Sequence, residues 1–143
     1  MRSRIILCPT DFSETASHAI SYAVEMANLY QVGVRLLHVV DKPFGDKHTR
    51  VLAETQDELN ERMEKQAAVE MQQYIDSLEG YFPFESSISH GHPVEQILAT
   101  AKNIDAGMIV IASHGRTGLN HFLNTNTAEK VVNKARCPVL IVK

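Results

Sequence analysis

The sequence lacks most of the features that announce a function directly. It has only two cysteines, Cys8 and Cys137, far apart and without CxxC spacing. We read them as reduced, strand-associated thiols, which argues against a disulfide framework. No apolar run approaches membrane-spanning length, and the apolar part of MRSRIILCPTDFS is too short for a signal peptide. A cytoplasmic protein with no membrane partner is expected. Positive charge is not in excess: 14 Lys and Arg stand against 17 Asp and Glu, a net charge of −3, which argues against nucleic acid as a partner. GKS and GKT are absent, so there is no Walker A loop, and neither an SGGxDS-like loop nor GxSxG occurs. There is no internal repeat and no low-complexity segment. What remains is ordinary globular material, 143 residues with 44% hydrophobic and 22% charged, expected to form one domain over 1–143.

What is present is an alternation. Short runs at RIILC (4–8), VRLLHVV (34–40), FESSIS (84–89), MIVIA (108–112) and PVLIVK (138–143) are separated by helical patterns. Four are apolar nearly throughout, as in strands covered on both faces, whereas the third is polar and is expected at a sheet edge. Residues 14–31 place Ala16, Ala19, Ile20, Ala23, Ala27 and Tyr30 at helical spacing, with Ser13 as N-cap and Glu14 in the positive first turn. A longer stripe over 52–79 includes Leu59, Met63, Ala67 and Ile75. Val94, Ile97, Leu98 and Ala101 mark a third helix opened by Pro93, and Ala128, Val131, Val132 and Ala135 a fourth. Strand and helix in alternation predict right-handed crossovers and an α/β fold. We expect a single-domain, open, five-stranded parallel sheet with helices on both faces, Rossmann-like in architecture. The stretch DKPFGDKHTRV (41–51) has no clear period and is read as a connection into the second helix.

In an open parallel sheet, ligands bind beyond the carboxyl ends of the strands, where neighbouring connections leave toward opposite faces. That directs attention to Pro9, Thr10, Asp11, Phe12 and Ser13 after the first strand, and to Val40 and Asp41 after the second. After the fourth come Ser113, His114, Gly115 and Arg116. The Asp11 carboxylate could accept hydrogen bonds from a ribose hydroxyl, a base amine or a backbone N–H; it could equally make only local bonds at the positive end of the first helix. Gly115 and Gly118 permit a turn whose N–H groups form an anion cup ahead of the fourth helix, with Arg116 adding charge, or they serve an ordinary turn. His90 and His92 in SHGHP have spacing that would suit a metal but lack a third ligand, so they are read as exposed or locally bonded. His38, inside an apolar strand, is expected to be buried and satisfied. A triad of Ser113, His114 and Asp11 is disfavoured, because His114 beside Ser113 is expected to point elsewhere. No catalytic residue and no metal site is assigned.

IILCPTDFSETASHAI, LLHVV, GHPVEQIL, MIVIASHGRTGL and AEKVVNKARCPVLIVK together resemble the universal stress protein family, in order and over essentially the full chain. The resemblance implies the strand order 3-2-1-4-5 and a homodimer paired through the last strands. The apolar VLIV fits the second point, since native proteins cover such an edge. One subclass of the family binds ATP; another does not and works through protein contacts. The ATP-binding pattern is Gly, two residues, Gly, nine residues, then Gly followed by Ser or Thr. Here its positions fall on Ala112, Gly115, residues 116–124, and Thr125 with Asn126, Thr127 being next. Alanine at 112 is a mild change. Thr125 is a larger one, because a β-branched residue resists positive φ by about 1 kcal/mol or more if the turn requires it. Thr125, Asn126 and Thr127 nevertheless keep the helix start rich in donors. Pro9, Asp11 and Val39 match family positions lining base and ribose, with Thr10 and Ile111 beside them. The resemblance therefore implies ATP or a related adenine nucleotide at the cleft of the first and fourth strands, with an altered phosphate half. Any Mg²⁺ would arrive with the nucleotide, any ATPase activity would be slow, and an unidentified protein partner is expected. The alternative is a nucleotide-free, dimeric protein-interaction module.

Overall fold

The computed structural model describes residues 3–40, 56–77, 83–114 and 123–143. Its elements are β1 (Ile5–Pro9), α1 (Glu14–Tyr30), β2 (Gly33–Val40), α2 (Gln56–Ser77), β3 (Phe84–His90), α3 (Pro93–Asn103), β4 (Met108–Ala112), α4 (Thr125–Lys134) and β5 (Val139–Val142). The strands make one five-stranded sheet, parallel as the alternation predicts and in the order β3-β2-β1-β4-β5 that the resemblance implies. The chain steps from β1 through β2 to β3 on one side, then crosses to β4 and β5 on the other. With right-handed crossovers this puts α1 and α2 on one face and α3 and α4 on the opposite face; α3 and α4 accordingly pack together.

The central strands are apolar on both faces because both faces are covered. Ile6, Leu7, Cys8, Leu36, Ile109, Val110 and Ile111 are fully buried. Helix α1 meets the sheet through Ala16, Ala19, Ile20, Ala23 and Ala27, four of them alanines that let its backbone approach closely. Its amino end is capped by the Ser13 hydroxyl, which accepts the Ala16 N–H at 3.1 Å. Its carboxyl end turns at Gln31, left-handed at φ 55°, with the Val32 N–H returning to the Ala27 carbonyl at 3.0 Å. Among the described side chains of α2, Ala67 and Met71, one turn apart, are buried. No helix among the described residues is long and apolar enough to cross a membrane.

Several local expectations shift. Tyr30 lies on the flank of the buried stripe and is 46% exposed. Strand β5, apolar in sequence, is an edge strand and only partly covered, with Ile141 41% exposed. The polar strand β3 takes the other edge. Cys8 lies in β1 and is buried, whereas Cys137 sits in the connection between α4 and β5, outside any strand. Burial pushes the Cys8 thiol up to about 12. The Cys137 thiol is also raised by partial burial, against a lowering from its own backbone hydrogen bond. Residues 41–51 and the ends of the 52–79 stripe, 52–55 and 78–79, lie outside the described residues.

Candidate functional site

The site begins where the sheet parts. Strand β1 pairs with β2 along its whole length, through Pro9↔Leu37, but with β4 only at Ile6↔Met108 and Leu7↔Ile109. Pro9 has no N–H to offer a ladder. A proline at the last position of a central strand is therefore placed where pairing can stop, and it leaves β1 and β4 to diverge at their carboxyl ends.

Beyond Pro9 the chain is tied down at almost every atom. Thr10, fully buried, donates its N–H to the Leu37 carbonyl at 2.9 Å, and its own carbonyl accepts from His38 Nδ1 at 2.9 Å. A carbonyl only accepts, so this bond places the His38 proton on Nδ1. The Thr10 hydroxyl accepts the Phe12 N–H at 3.1 Å, and Asp11 Oδ1 accepts the Ser13 N–H at 3.0 Å. Between those bonds Phe12 is held at φ 62°, a left-handed conformation that costs a non-glycine residue about 1–3 kcal/mol. Its ring lies on the His38 imidazole, centroids 4.8 Å apart. Asp11 is only 1% exposed and makes the local backbone bond that was one of its two expected roles. His38 is half-buried, not fully buried as expected, because its ring covers the turn instead of entering the core.

The second half of the site is built differently. Strand β4 ends at Ala112, fully buried, and the Ser113 N–H closes onto the Val142 carbonyl at 2.7 Å. The Ser113 hydroxyl and His114 Nδ1 share a hydrogen bond of 2.9 Å, contrary to the expectation that His114 points elsewhere. The chain has left the sheet by then, so the strict alternation of strand side chains no longer separates neighbours. Gly115, Gly118 and Arg116 lie outside the described residues.

Helix α4 opens with Asn124 as N-cap, extended at φ −151° and ψ 172°, its side chain accepting the Thr127 N–H at 2.8 Å. Thr125, Asn126 and Thr127 are therefore the first three helical residues. Among the described residues the non-glycine positions at positive φ are Phe12, Gln31 and Asp105. The strain anticipated at Thr125 does not arise: a helical first position suits a β-branched residue without any left-handed turn. Thr125 and Asn126 are exposed, whereas Thr127 is only 6% exposed. There is no acidic residue in the first turn of α4. An amide-rich, acid-free helix start is a favourable place for an anion.

Topology thus brings Pro9, Thr10, Asp11, Val39, Ile111 and Ala112 to adjacent strand ends, all of them buried. The sequence reading missed the Phe12–His38 stack and the cap at Asn124. The only signal for the latter was a run of four cap-competent residues, 124–127, that leaves the boundary ambiguous. The two candidate metal histidines separate: His90 Nε2 lies 3.6 Å from the Glu64 carboxylate, and His92 precedes α3 without a side-chain capping bond. Among the described residues no group of three or more His, Cys, Asp or Glu could hold a metal. A cleft of about 450 Å³ does open at the opposite, amino-terminal end of the sheet, lined in part by Arg4, Asn28, Gln31, Gly33 and Glu85. Two of its polar side chains have protein partners: Glu85 pairs with Arg35, and Gln31 donates to the Asn28 carbonyl. The cleft lies away from the strand ends at which an open parallel sheet binds ligands, so the carboxyl end is the better candidate.

A sheet ordered 3-2-1-4-5 and parted between β1 and β4 defines a doubly wound α/β protein, a class that binds ligands at this topological switch point. The chain belongs to the universal stress protein family, whose model matches residues 2–143. It is 32% identical to universal stress protein MJ0577 of Methanocaldococcus jannaschii over 151 residues, covering 96% of this chain and 93% of that protein. The solved structure of MJ0577 superimposes with a TM-score of 0.80, covering 100% of this chain and 97% of the other. Universal stress protein UspA from Lactobacillus plantarum is similar at 28% identity and a TM-score of 0.77, covering 100% and 99%. More distant structures share the fold: a universal stress protein in complex with cAMP, at 17% identity, TM-score 0.63 and coverage of 100% and 99%, and one from Archaeoglobus fulgidus in complex with dAMP, at 24% identity, TM-score 0.58 and coverage of 99% and 98%.

Proposed function

We propose that this chain binds an adenine nucleotide across the carboxyl ends of β1 and β4, with ATP as the specific candidate. The observation that carries the reading is the parting of β1 from β4 beyond Leu7 and Ile109, at the same end of the sheet as the acid-free start of α4. Pro9, Thr10, Asp11, Val39 and Ile111 would hold the nucleoside. Ala112, Gly115, Arg116, Thr125 and Asn126 would meet the phosphates, while Thr127 shapes that turn through its bond to Asn124. The complexes of fold relatives with cAMP and dAMP support an adenine ligand. Backbone amides at the start of α4 suit phosphate oxygens without a divalent ion, and any Mg²⁺ enters with the nucleotide. We assign no catalytic residue, and any ATP turnover is slow. The test is calorimetric titration with ATP, ADP and AMP, with and without Mg²⁺. A preference for ATP supports phosphate contacts at α4, and equal binding of all three restricts the site to the nucleoside half. Absence of binding to any of them removes the reading.

A second reading is a nucleotide-free interaction module, favoured by the 1% exposure of Asp11 and its bond to the Ser13 N–H. Thr125→Gly combined with Asn126→Ser separates the two. Strong ATP binding gained by the double variant and absent from the parent supports the module. In both readings the protein is cytoplasmic, acts on an unidentified protein partner, and forms a homodimer through the edge of β5. On β5 Ile141 is 41% exposed, and on α4 Val132 is 42% exposed. Sedimentation of the parent beside Ile141→Lys tests the dimer, which predicts a monomer for the variant.

A further inference from the structure

We propose that His38 is a positioning residue for the nucleotide site: from β2 it clamps the β1–α1 turn in its left-handed form and so fixes where the Asp11 carboxylate stands. The inference rests on the nucleotide reading only for the ligand it serves; the clamp itself stands on the geometry of the turn. Phe12 occupies a conformation, φ 62°, that a bulky side chain rarely adopts. Such a conformation persists where its surroundings over-determine it, and these cluster at functional sites. Here the surroundings are specific. Leu37 and His38, consecutive on β2, grip Thr10 from two sides, Leu37 by accepting its N–H and His38 by donating to its carbonyl, each at 2.9 Å. The same imidazole covers the Phe12 ring at 4.8 Å, tilted by 32°. One side chain thus holds the residues before and after Asp11. Thr10 and Asp11 then each accept an amide of the turn, from Phe12 and Ser13 respectively. Backbone strain at 12, two local bonds and a ring stack converge on a single outcome, a fixed carboxylate between the two gripped residues. Because His38 also pairs with Ile88 on β3, the clamp is anchored in the sheet and not in a loop.

This arrangement makes an unusual demand of mutants: removing a second side chain should repair the damage done by removing the first. His38→Ala loses the clamp while Phe12 keeps its aversion to the left-handed region. Adding Phe12→Gly removes the aversion, since glycine adopts positive φ without a steric cost. The experiment is native-state amide hydrogen exchange at Phe12 and Ser13 in the ligand-free protein, referenced to Ile109 and Val110 in β4, with AMP affinity measured in parallel. In His38→Ala we expect exchange at 12 and 13 to rise about 5–30-fold beyond any change at the β4 amides, the factor that corresponds to unclamping one left-handed residue. AMP affinity should fall by a comparable factor. His38→Ala with Phe12→Gly should recover most of both, whereas His38→Ala with Phe12→Ala, which deletes the same ring but keeps a Cβ, should not. Exchange at 12 and 13 that follows the β4 amides in His38→Ala, or equal behaviour of the glycine and alanine double variants, overturns the proposal and leaves His38 as ordinary packing. If the parent binds no AMP, the nucleotide reading fails on its own, and the exchange results still decide the clamp.

Discussion

Two helices begin at the same end of this sheet, and they treat their exposed amides in opposite ways. Helix α1 meets its positive end with the protein's own groups: Asp11 and Ser13 accept the amides of Ser13 and Ala16, and Glu14 adds charge in the first turn. Helix α4 has one neutral cap, Asn124, and no acid in its first turn. Among the described residues the Thr125 and Asn126 amides meet no acceptor. The first helix start is electrostatically closed, the second open to an anion. The two cysteines repeat the contrast, Cys8 dry inside β1 and Cys137 half-buried between α4 and β5. A site assembled from these halves would recognise a ligand by shape and hydrogen bonds on one side and by negative charge on the other.

The largest effect that probes this contrast is alkaline destabilisation through Cys8. Its thiol ionises near pH 9 in the unfolded chain but is pushed up to about 12 by burial in the folded one. Between those values unfolding releases a proton, so stability is complete below pH 9 and falls as pH rises toward 12. The slope approaches about 1.4 kcal/mol per pH unit in mid-window. Urea unfolding from pH 7 to 10.5 should show this decline in the parent and a shallower one in Cys8→Ala, tyrosine ionisation being common to both. Parallel curves would mean that water reaches the β1 side after all. Next comes Asp11→Ala, which removes the acceptor of a buried N–H and should cost about 1–3 kcal/mol. In the nucleotide reading it should also reduce binding of AMP and ATP alike by at least about tenfold, whereas loss of ATP binding alone would relocate Asp11 to the phosphate half.

The strands were legible because two-sided burial leaves an unmistakable run of apolar residues, whereas their order was legible only through the family resemblance. Ile6 to Cys8 and Ile109 to Ile111 could hardly be anything else. Ser13 was legible as a cap because it stands directly before the periodic stripe with Glu14 in the first turn. Asn124 was not, because Asn124, Thr125, Asn126 and Thr127 can all cap, and only the three-dimensional approach of the Thr127 amide selects among them. The left-handed Phe12 was hidden for the opposite reason. Sequence signals positive φ by glycine or asparagine, and here a phenylalanine is forced into it by groups from another strand. Half of the candidate site follows from local pattern, and the rest from long-range contacts that no local pattern encodes.

Smaller effects test the open helix. Asn124→Ala should cost about 1 kcal/mol by leaving the Thr127 amide without its cap, read as a lowered urea midpoint at unchanged slope.

Thr125→Pro has the smallest expected effect on stability and tells the most about function. Position 125 is the first of the helix, where a proline's fixed φ fits and its missing N–H has no intrahelical bond to lose. Asn124, at φ −151° and ψ 172°, already has the extended conformation that a following proline demands. The fold should therefore change by less than about 0.5 kcal/mol. What is removed is donor capacity at the open end of α4, the Thr125 amide together with its hydroxyl. If phosphate binds there, ATP should lose affinity by about tenfold while AMP, held from the β1 side, loses little, since a charge-assisted hydrogen bond contributes about 1.5–3 kcal/mol. Equal affinity of the parent and Thr125→Pro for ATP would show that the acid-free start of α4 is open without being used, and would leave the closed turn at β1 as the whole of the ligand site.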